Sequence, residues 1–308
     1  MSDIKLFRTD NGTVEELKGT SVALEKSLQT LIEQHLEAFL GIRFLASEHS
    51  TGKVYSGRID TLGIDENGCP VIIEYKRALN ENVINQGLFY LDWLMDHKAD
   101  FRWLVMDRIG KTQADSIEWG SPRLLCIAGD FTNYDEYAVK QIPRNIELIR
   151  YRRYGNDFLT FELVNISTSL SQSVNLSVAA KGKAAPQSTI TDGSPSTGQN
   201  HLDELERATT EIHDLFESLK AFLFALSSDV QMRPVRRYIA FKRIRTFAAV
   251  AIRPRPKCIC IWTGVNTAQV AEQAGFLDRE KNGGVRILLR NQDDLTRVQP
   301  VLIAAYDA

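Results

Sequence analysis

Apolar positions in the first half of the chain switch between helical spacing and strand spacing, which predicts an α/β domain over residues 1–163. Helical spacing predicts helices over residues 22–40 and 82–97, and Gly41 stands where a glycine commonly follows a helix. Short apolar runs bounded by turn signals predict strands over residues 4–7, 13–17, 42–46, 54–64, 71–77, 101–107, 123–128, 145–154 and 158–164.

The rest of the chain follows a different pattern. Helices are predicted over residues 202–226, 234–243 and 292–306, and strands near residues 247–253, 257–263 and 285–289, which together predict a small α+β domain over residues 201–308. Residues 164–200 hold eight Ser and four Thr but no aromatic residue. Such a segment cannot bury enough apolar area to offset its ordering entropy, so we predict a linker there.

Composition excludes several classes of protein. The 308 residues carry a formal net charge of −2, which argues against a protein that coats nucleic acid over its whole surface. No apolar run approaches the ~20 residues that span a bilayer, and the first residues lack a signal-peptide pattern. The four cysteines are too scattered for a disulfide framework. We therefore expect a cytoplasmic protein with no membrane association.

Two acids and a lysine in consecutive predicted strands suggest chemistry. Side chains on a strand alternate, so Glu74 and Lys76 share a face, and a hairpin through residues 65–68 would place Asp60 beside Glu74. Paired carboxylates suit Mg²⁺ or Mn²⁺, which can activate water, while a nearby lysine can stabilise charge on a phosphoryl group. Taken alone, the same pattern also fits a hairpin with surface charges.

The helix that follows carries two polar residues on an otherwise apolar stripe. Gln86 and Tyr90 lie one turn apart, directly after the strand with Glu74 and Lys76. They could be half-buried residues with satisfied hydrogen bonds, or they could belong to the same site.

Together, Asp60, the run Glu74-Tyr75-Lys76 and the run from Gln86 to Tyr90 resemble the PD-(D/E)XK nuclease superfamily, in its RecB-like and NucS-like (endonuclease NucS-type) branch. The resemblance covers about residues 20–110. It implies a restriction-endonuclease-like mixed sheet flanked by helices, and phosphodiester hydrolysis with Mg²⁺ or Mn²⁺. The C-terminal domain resembles an uncharacterised α+β domain often found behind such nuclease domains.

The resemblance also implies roles for these residues. Asp60 and Glu74 would hold the metal, with the carbonyl of Tyr75 as a further ligand. Lys76 would orient the attacking water and stabilise the transition state. Gln86 and Tyr90 would position backbone phosphate or brace Lys76.

A further acid on the first helix usually completes this family's site. The matching residue is Glu25, and helical periodicity independently places Glu25 within the apolar arc of the predicted helix. Spacing alone leaves Glu33 and Glu48 as alternatives.

The C-terminal domain contains a basic stretch. Residues 231–257 hold nine basic residues and no acid, which suggests contacts with phosphate. The candidate nucleic-acid-binding residues are Arg236, Arg237, Lys242, Arg243, Arg253, Arg255 and Lys257. A solvated charged face, or a dimerisation or partner-binding module, would fit the same composition.

With this resemblance, the sequence predicts a metal-dependent nuclease, and the resemblance implies a DNA endonuclease of repair or antiviral defence. A non-catalytic nucleic-acid-binding protein on the same fold is the alternative. We expect DNA rather than RNA as the partner, and homodimer formation stays open.

Overall fold

The computed structural model describes residues 4–20, 26–76, 83–155, 157–167, 204–205, 207–227, 229–235, 238–253, 255, 257–276, 278 and 284–308. The chain forms two compact units, residues 1–183 and 184–308. Among the described residues, no helix combines the length and the apolar character needed to cross a membrane.

The N-terminal unit is built on a seven-stranded mixed sheet. Its strands are β3 (Gly19–Thr20), β4 (Ile42–Ser50), β5 (Arg58–Asp65), β6 (Pro70–Lys76), β7 (Arg123–Ala128), β8 (Asn145–Tyr154) and β9 (Phe158–Ser167). They lie in the order β3-β8-β7-β6-β5-β4, and β9 also pairs with β8. Strands β6, β7 and β8 are parallel, whereas β4, β5 and β6 are antiparallel neighbours. A separate hairpin joins β1 (Leu6–Asp10) to β2 (Thr13–Leu17).

Helices cover both faces of this sheet. They are α1 (Lys26–Gln34), α2 (Leu36–Leu40), α3 (Gly52–Tyr55), α4 (Val83–Asp96), α5 (Lys98–Arg108), α6 (Lys111–Ala114) and α7 (Asn133–Gln141). Helices α4, α5 and α7 share a buried apolar core with β5–β8 on one face. Helix α4 lies so close to the sheet that a Cβ on Gly87 would come within 2.4 Å of Leu124 Cδ1. Helix α1 contacts the other face, where Glu33 accepts a hydrogen bond from Thr61.

The turn between β5 and β6 is fixed by a carboxylate. Asp65 Oδ1 accepts hydrogen bonds from the backbone amides of Asn67 and Cys69, both at 2.9 Å. Asp65 Oδ2 accepts from the Arg123 guanidinium at 2.9 Å, and Glu147 binds the same guanidinium through two bonds of 2.8 Å. All three side chains are buried. Burial opposes the charge of Arg123, but Glu147 and then Asp65 hold its pKa above the ordinary value.

Most of the predicted elements of this unit are present, with three corrections. Residues 101–107 form part of α5 and not a strand, because Phe101 and Val105 bury one helical face while Trp103 is 60% exposed. The predicted helix over residues 22–40 is described only from Lys26 and is divided at His35, although Gly41 ends it with a left-handed φ of 66° as expected. The predicted strand over residues 54–64 begins only at Arg58, after the short helix α3.

The C-terminal unit is a five-stranded antiparallel sheet with helices against it. The strands lie in sequence order and are β10 (Gln231–Pro234), β11 (Ile239–Lys242), β12 (Thr246–Arg253), β13 (Cys258–Thr263) and β14 (Val285–Leu289). The helices are α8 (Thr210–Leu226), α9 (Ala268–Gln273) and α10 (Gln292–Tyr306), and a 3₁₀ turn covers Val265–Thr267. Helices α8, α9 and α10 and the sheet share one buried apolar core. The mixed α/β unit and the smaller α+β unit together confirm the predicted fold class.

Two of the predictions from the sequence are corrected by the structure. The helix predicted over residues 234–243 is wrong, because β10 and β11 pair as antiparallel strands there, with Pro234 opposite Ile239. Ile239 and Phe241 alternate into the core, which is the period of a strand. Strand β9 extends to Ser167, so residues 164–167 of the predicted linker belong to a strand, and residues 168–200 lie outside the described residues.

Removal of the buried guanidinium should destabilise the N-terminal unit strongly. Arg123→Met leaves Asp65 and Glu147 buried without their cation, so we expect the free energy of unfolding to fall by about 3–5 kcal/mol. Urea titration followed by far-UV circular dichroism measures the loss. Arg102→Met is the matched control, because its ion pair with Asp115 is about half exposed and should contribute less than ~1 kcal/mol. Equal losses for the two variants would contradict a special role for Arg123.

Candidate active site

Three acids stand in a row across β4, β5 and β6. The register pairs Thr61 with Ile73, so Asp60 and Glu74 come next along the two strands and lie opposite each other. On the other side, Ser47 and His49 pair with Thr61 and Ile59, which places Glu48 opposite Asp60. Residues directly opposite on antiparallel strands share a face. We call Glu48, Asp60 and Glu74 the acid row.

Asp60 and Glu74 are tied to each other's strands by hydrogen bonds. The amide of Asp60 donates to Glu74 Oε1 at 3.2 Å, and the amide of Tyr75 donates to Asp60 Oδ2 at 3.0 Å. Each carboxylate is therefore held by the backbone of the neighbouring strand. The prediction that these two side chains lie side by side agrees with this geometry.

Glu74 is an acid in an environment that disfavours its charge. The residue is 1% exposed. Burial first, then the negative charge of Asp60, raises the pKa of Glu74 to about 9, although the hydrogen bond from the Asp60 amide acts in the opposite direction. The charge of Glu48 raises it further. Glu74 therefore holds its proton more tightly than an ordinary carboxyl does, and a cation beside it would favour its ionised form.

Glu48 sits in a strained backbone conformation at the edge of the row. Its φ is 52°, in the left-handed region that non-glycine residues rarely adopt. Its carboxylate forms an ion pair of 2.6 Å with the guanidinium of Arg58, two residues before Asp60. Strain of this kind is often found at functional sites.

Tyr90 and Gln86 connect α4 to the beginning of β5. The Tyr90 hydroxyl accepts hydrogen bonds from the backbone amide of Arg58 at 3.1 Å and from Gln86 Nε2 at 3.2 Å. The Tyr90 ring lies against Gly57, where a Cβ would come within 2.6 Å of it. Tyr90 is buried and Gln86 is exposed. Tyr90 and Gln86 therefore hold the start of β5, the strand that carries Asp60. The side-chain amide of Gln86 stays at the surface.

The three candidates for the third acid of the site are Glu25, Glu33 and Glu48. Glu25 lies outside the described residues. Glu33 lies on the opposite face of the sheet, where its Oε1 accepts from Thr61, Ser47 and Gln29. Of the residues that the structure describes, Glu48 is thus the alternative that joins Asp60 and Glu74.

Lys76 ends β6, two residues after Glu74, and the structure describes its backbone but not its side chain. Its predicted role therefore remains an expectation from the sequence.

The basic residues that the structure describes in the predicted stretch do not form one stripe. Arg236 and Arg237 lie outside the described residues, and Lys242 is only 1% exposed. Arg243 forms an ion pair with Asp229 at 2.8 Å and covers the Tyr306 ring. The remaining three flank the connection between β12 and β13, where Arg255 and Lys257 are exposed and Arg253 is partly exposed.

Sequence reasoning missed Arg58 and the buried ion network. Arg123 and Glu147 both fall inside predicted apolar strands, and a charged residue in a central strand must have a partner. The sequence alone therefore indicated that Arg123 and Glu147 have charged partners. Nothing in the sequence alone indicated that Arg58 would bind Glu48.

The donor set fits a hard divalent cation. Among the described residues, no three His, Cys, Asp or Glu side chains are grouped closely enough to hold a metal ion as they stand. Asp60 and Glu74 nevertheless lie in contact and offer carboxylate oxygens, the ligands that Mg²⁺ and Mn²⁺ prefer. A cation beside Glu74 would also offset the effects of burial and of the nearby negative charges, which raise the pKa of Glu74. Asp60, Glu74 and the Tyr75 carbonyl are therefore suitable ligands.

Comparisons with known proteins bear on the two units differently. Residues 203–307 match a family model described as a domain of unknown function (DUF5655), in agreement with the expected uncharacterised C-terminal domain. A protein of Haemophilus influenzae described as uncharacterized is 28% identical over 284 residues, which cover 91% of this chain and 90% of the relative. The solved EndoMS-dsDNA2 complex matches 42% of this chain at 19% identity and a TM-score of 0.25, and this chain spans only 46% of that one.

Loss of the proton from buried Glu74 should make the metal-free protein less stable at high pH. Its folded pKa of about 9 lies above its ordinary value of 4.5, so its contribution is complete below pH 4.5 and is lost as the pH rises through 9. In EDTA we expect the urea midpoint of the wild type to fall between pH 5 and pH 9. Glu74→Gln, which mimics the protonated acid, should flatten that dependence. Glu37→Gln, at an exposed position of α2, should leave it unchanged. An unaltered slope in Glu74→Gln would contradict the raised pKa.

Proposed function

We propose that this protein is a metal-dependent nuclease that hydrolyses phosphodiester bonds, with DNA as its substrate. The observation that carries the proposal is the contact between Asp60 and Glu74 on neighbouring strands, with Glu74 buried and its pKa raised by burial and by the charge of Asp60. Lys76 follows two residues later on the same strand. A pair of surface charges on an ordinary hairpin would have no reason to be buried in this way.

Asp60, Glu74 and the Tyr75 carbonyl would hold Mg²⁺ or Mn²⁺. When bound, such a cation supplies Lewis-acid activation of the phosphodiester and of water. Glu74 must give up its proton to become a ligand, so metal binding and proton release are coupled at this residue. The amide of Tyr75, which donates to Asp60, fixes the orientation of that carboxylate before any ligand arrives.

The neighbouring residues would handle the substrate. Lys76 would orient the attacking water and stabilise negative charge on the phosphoryl oxygens. Gln86 is exposed beside Tyr90 and can donate to a backbone phosphate, while Tyr90 holds the start of β5. Glu48, held by Arg58, is the third acid that the site offers, and Glu25 remains a candidate from the sequence.

The C-terminal unit would contribute affinity for the nucleic-acid backbone. Arg253, Arg255 and Lys257 lie at one strand connection, where Arg255 and Lys257 are exposed and Arg253 is partly exposed. This arrangement suits phosphate contacts that do not depend on base sequence. Residues 1–163, by contrast, hold 19 Lys+Arg and 25 Asp+Glu, so the N-terminal part of the chain is acidic. The pathway that we propose for this endonuclease activity is DNA repair or antiviral defence.

The catalytic assignment predicts loss of cleavage with retention of binding. Asp60→Asn, Glu74→Gln and Lys76→Ala should each lower the rate by about 10²–10³ or more. Combining them should add little further loss, because the three would act as one unit. Cleavage of plasmid, linear duplex, single-stranded and branched DNA is compared with Mg²⁺, Mn²⁺ or EDTA. Asp107→Asn, at an exposed position of α5, is the control.

Two outcomes would decide against the enzyme. Cleavage by Lys76→Ala at the wild-type rate would exclude the proposed chemistry. Metal-independent DNA binding without any cleavage by the wild type would favour the non-catalytic alternative.

Salt dependence tests the basic connection. Each phosphate that a cation neutralises on duplex DNA contributes about −0.9 to the slope of log affinity against log salt. Replacing Arg253, Arg255 and Lys257 with Ser should therefore reduce the slope by roughly 2–3 and weaken binding similarly for all sequences. Arg243→Ser should leave the slope nearly unchanged, because Asp229 already pairs with Arg243. Fluorescence anisotropy at several salt concentrations measures both. Equal slopes for the triple variant and the wild type would remove this connection from the DNA interface.

A further inference from the structure

Each strand of the acid row carries a hydroxyl residue next to its acid. The pairs along the strands are Ser47 with Glu48, Thr61 with Asp60, and Tyr75 with Glu74. Successive side chains of a strand point to opposite faces, so these hydroxyls lie on the reverse side of the sheet from the acids. The contacts made on that side confirm the arrangement, because Ser47 and Thr61 both reach α1.

A single carboxylate oxygen accepts hydrogen bonds from two of these hydroxyls. Glu33 Oε1 accepts from Thr61 Oγ1 at 2.6 Å and from Ser47 Oγ at 2.9 Å. Gln29, one turn earlier on α1 and only 4% exposed, donates to the same oxygen at 3.2 Å. The Tyr75 hydroxyl oxygen lies 3.5 Å from Thr61 Oγ1. The 2.6 Å contact is in the range of charge-assisted O–H···O⁻ bonds, which are about twice as strong as neutral ones.

This arrangement ties the positions of the acids to α1. Ser47 is adjacent to Glu48 and Thr61 is adjacent to Asp60, so a displacement of either hydroxyl moves the neighbouring acid on the front face. The backbone ladder fixes which residues are opposite, but it leaves shifts of a fraction of an ångström open. Metal and catalytic sites require their groups to be held within about 0.5 Å by such supporting contacts.

We propose that Glu33 is a positioning residue for the acid row, acting through the hydroxyls of Ser47 and Thr61 on the reverse face of the sheet. It touches no reacting group. The inference rests on the proposed function for its catalytic consequence, but the structural coupling of Glu33 to Asp60 and Tyr75 stands apart from that function.

The test compares Glu33→Ala and Glu33→Gln with Glu37→Ala, an exposed glutamate of the neighbouring helix α2. Amide hydrogen exchange is measured by NMR on the full chain without metal. The amides of Asp60 and Tyr75, which donate to the two carboxylates, should exchange about tenfold faster in Glu33→Ala than in the wild type. Glu33→Gln keeps an acceptor oxygen and should fall between the two, and Glu37→Ala should match the wild type.

Metal affinity and cleavage kinetics provide the second measurement. Mn²⁺ affinity, measured by calorimetry, should fall about 10–100-fold in Glu33→Ala, and kcat should fall by a similar factor with KM for DNA nearly unchanged. Thr61→Val removes the shortest hydrogen bond but keeps the side-chain shape. It should reproduce the effect of Glu33→Ala, and it serves as the informative variant should Glu33→Ala fail to fold.

The outcomes separate this inference from the proposed function. Wild-type exchange rates at Asp60 and Tyr75 in both Glu33→Ala and Thr61→Val would overturn the positioning role. Faster exchange in these variants, together with a wild type that neither binds Mn²⁺ nor cleaves DNA, would support the positioning role and refute the nuclease. A fall in unfolding midpoint without a change at these two amides would reduce Glu33 to a general stabilising contact and also overturn the inference.

Discussion

The register between β5 and β6 is the constraint on which the candidate site depends. A shift of one residue would send Asp60 to the face opposite Glu74, because the side chains of a strand alternate. Asp65 sets this register at the turn, where one of its oxygens binds the amides of Asn67 and Cys69. Its other oxygen binds Arg123, at the start of the next strand in the sheet. A buried ion pair of this kind contributes little net stability, but it disfavours every alternative arrangement that leaves a charge unpaired.

The two ends of the β5–β6 hairpin place buried acids in different electrostatic surroundings. At the turn end, Arg123 forms ion pairs with both Asp65 and Glu147 within the core. Near the carboxyl end of β6, Glu74 is equally buried, yet its nearest charged neighbours include Asp60 and Glu48, which raise its pKa. This is the end of the hairpin at which the proposed metal would bind, since a cation there would favour the ionised form of Glu74.

The sequence predicted the elements that carry strong periodic or turn signals. The strands with Asp60 and Glu74, their turn and the following helix were all recognisable, because apolar alternation, the turn residues and helical spacing agree with each other there. Residues 101–107 were assigned wrongly, because a short apolar run has the same appearance in a strand and in a buried helical face. Residues 234–243 failed for a related reason, since clustered arginines and lysines at helical spacing concealed the alternation of Ile239 and Phe241.

Long-range contacts are the part that local patterns could not provide. The opposition of Glu48 and Asp60 depends on how β4 pairs with β5, and the strands are separated along the chain by the helix α3 and its flanking turns. The distinction between Glu33 and Glu48 depends on which face of the sheet α1 covers, and both residues fit the sequence equally well. Once the faces are known, each of the two acids can be assigned to one face of the sheet. Glu48 joins the row on one side, and Glu33 binds the hydroxyls of the adjacent residues on the other, so that one helix and three strands fix the position of a few carboxylate oxygens.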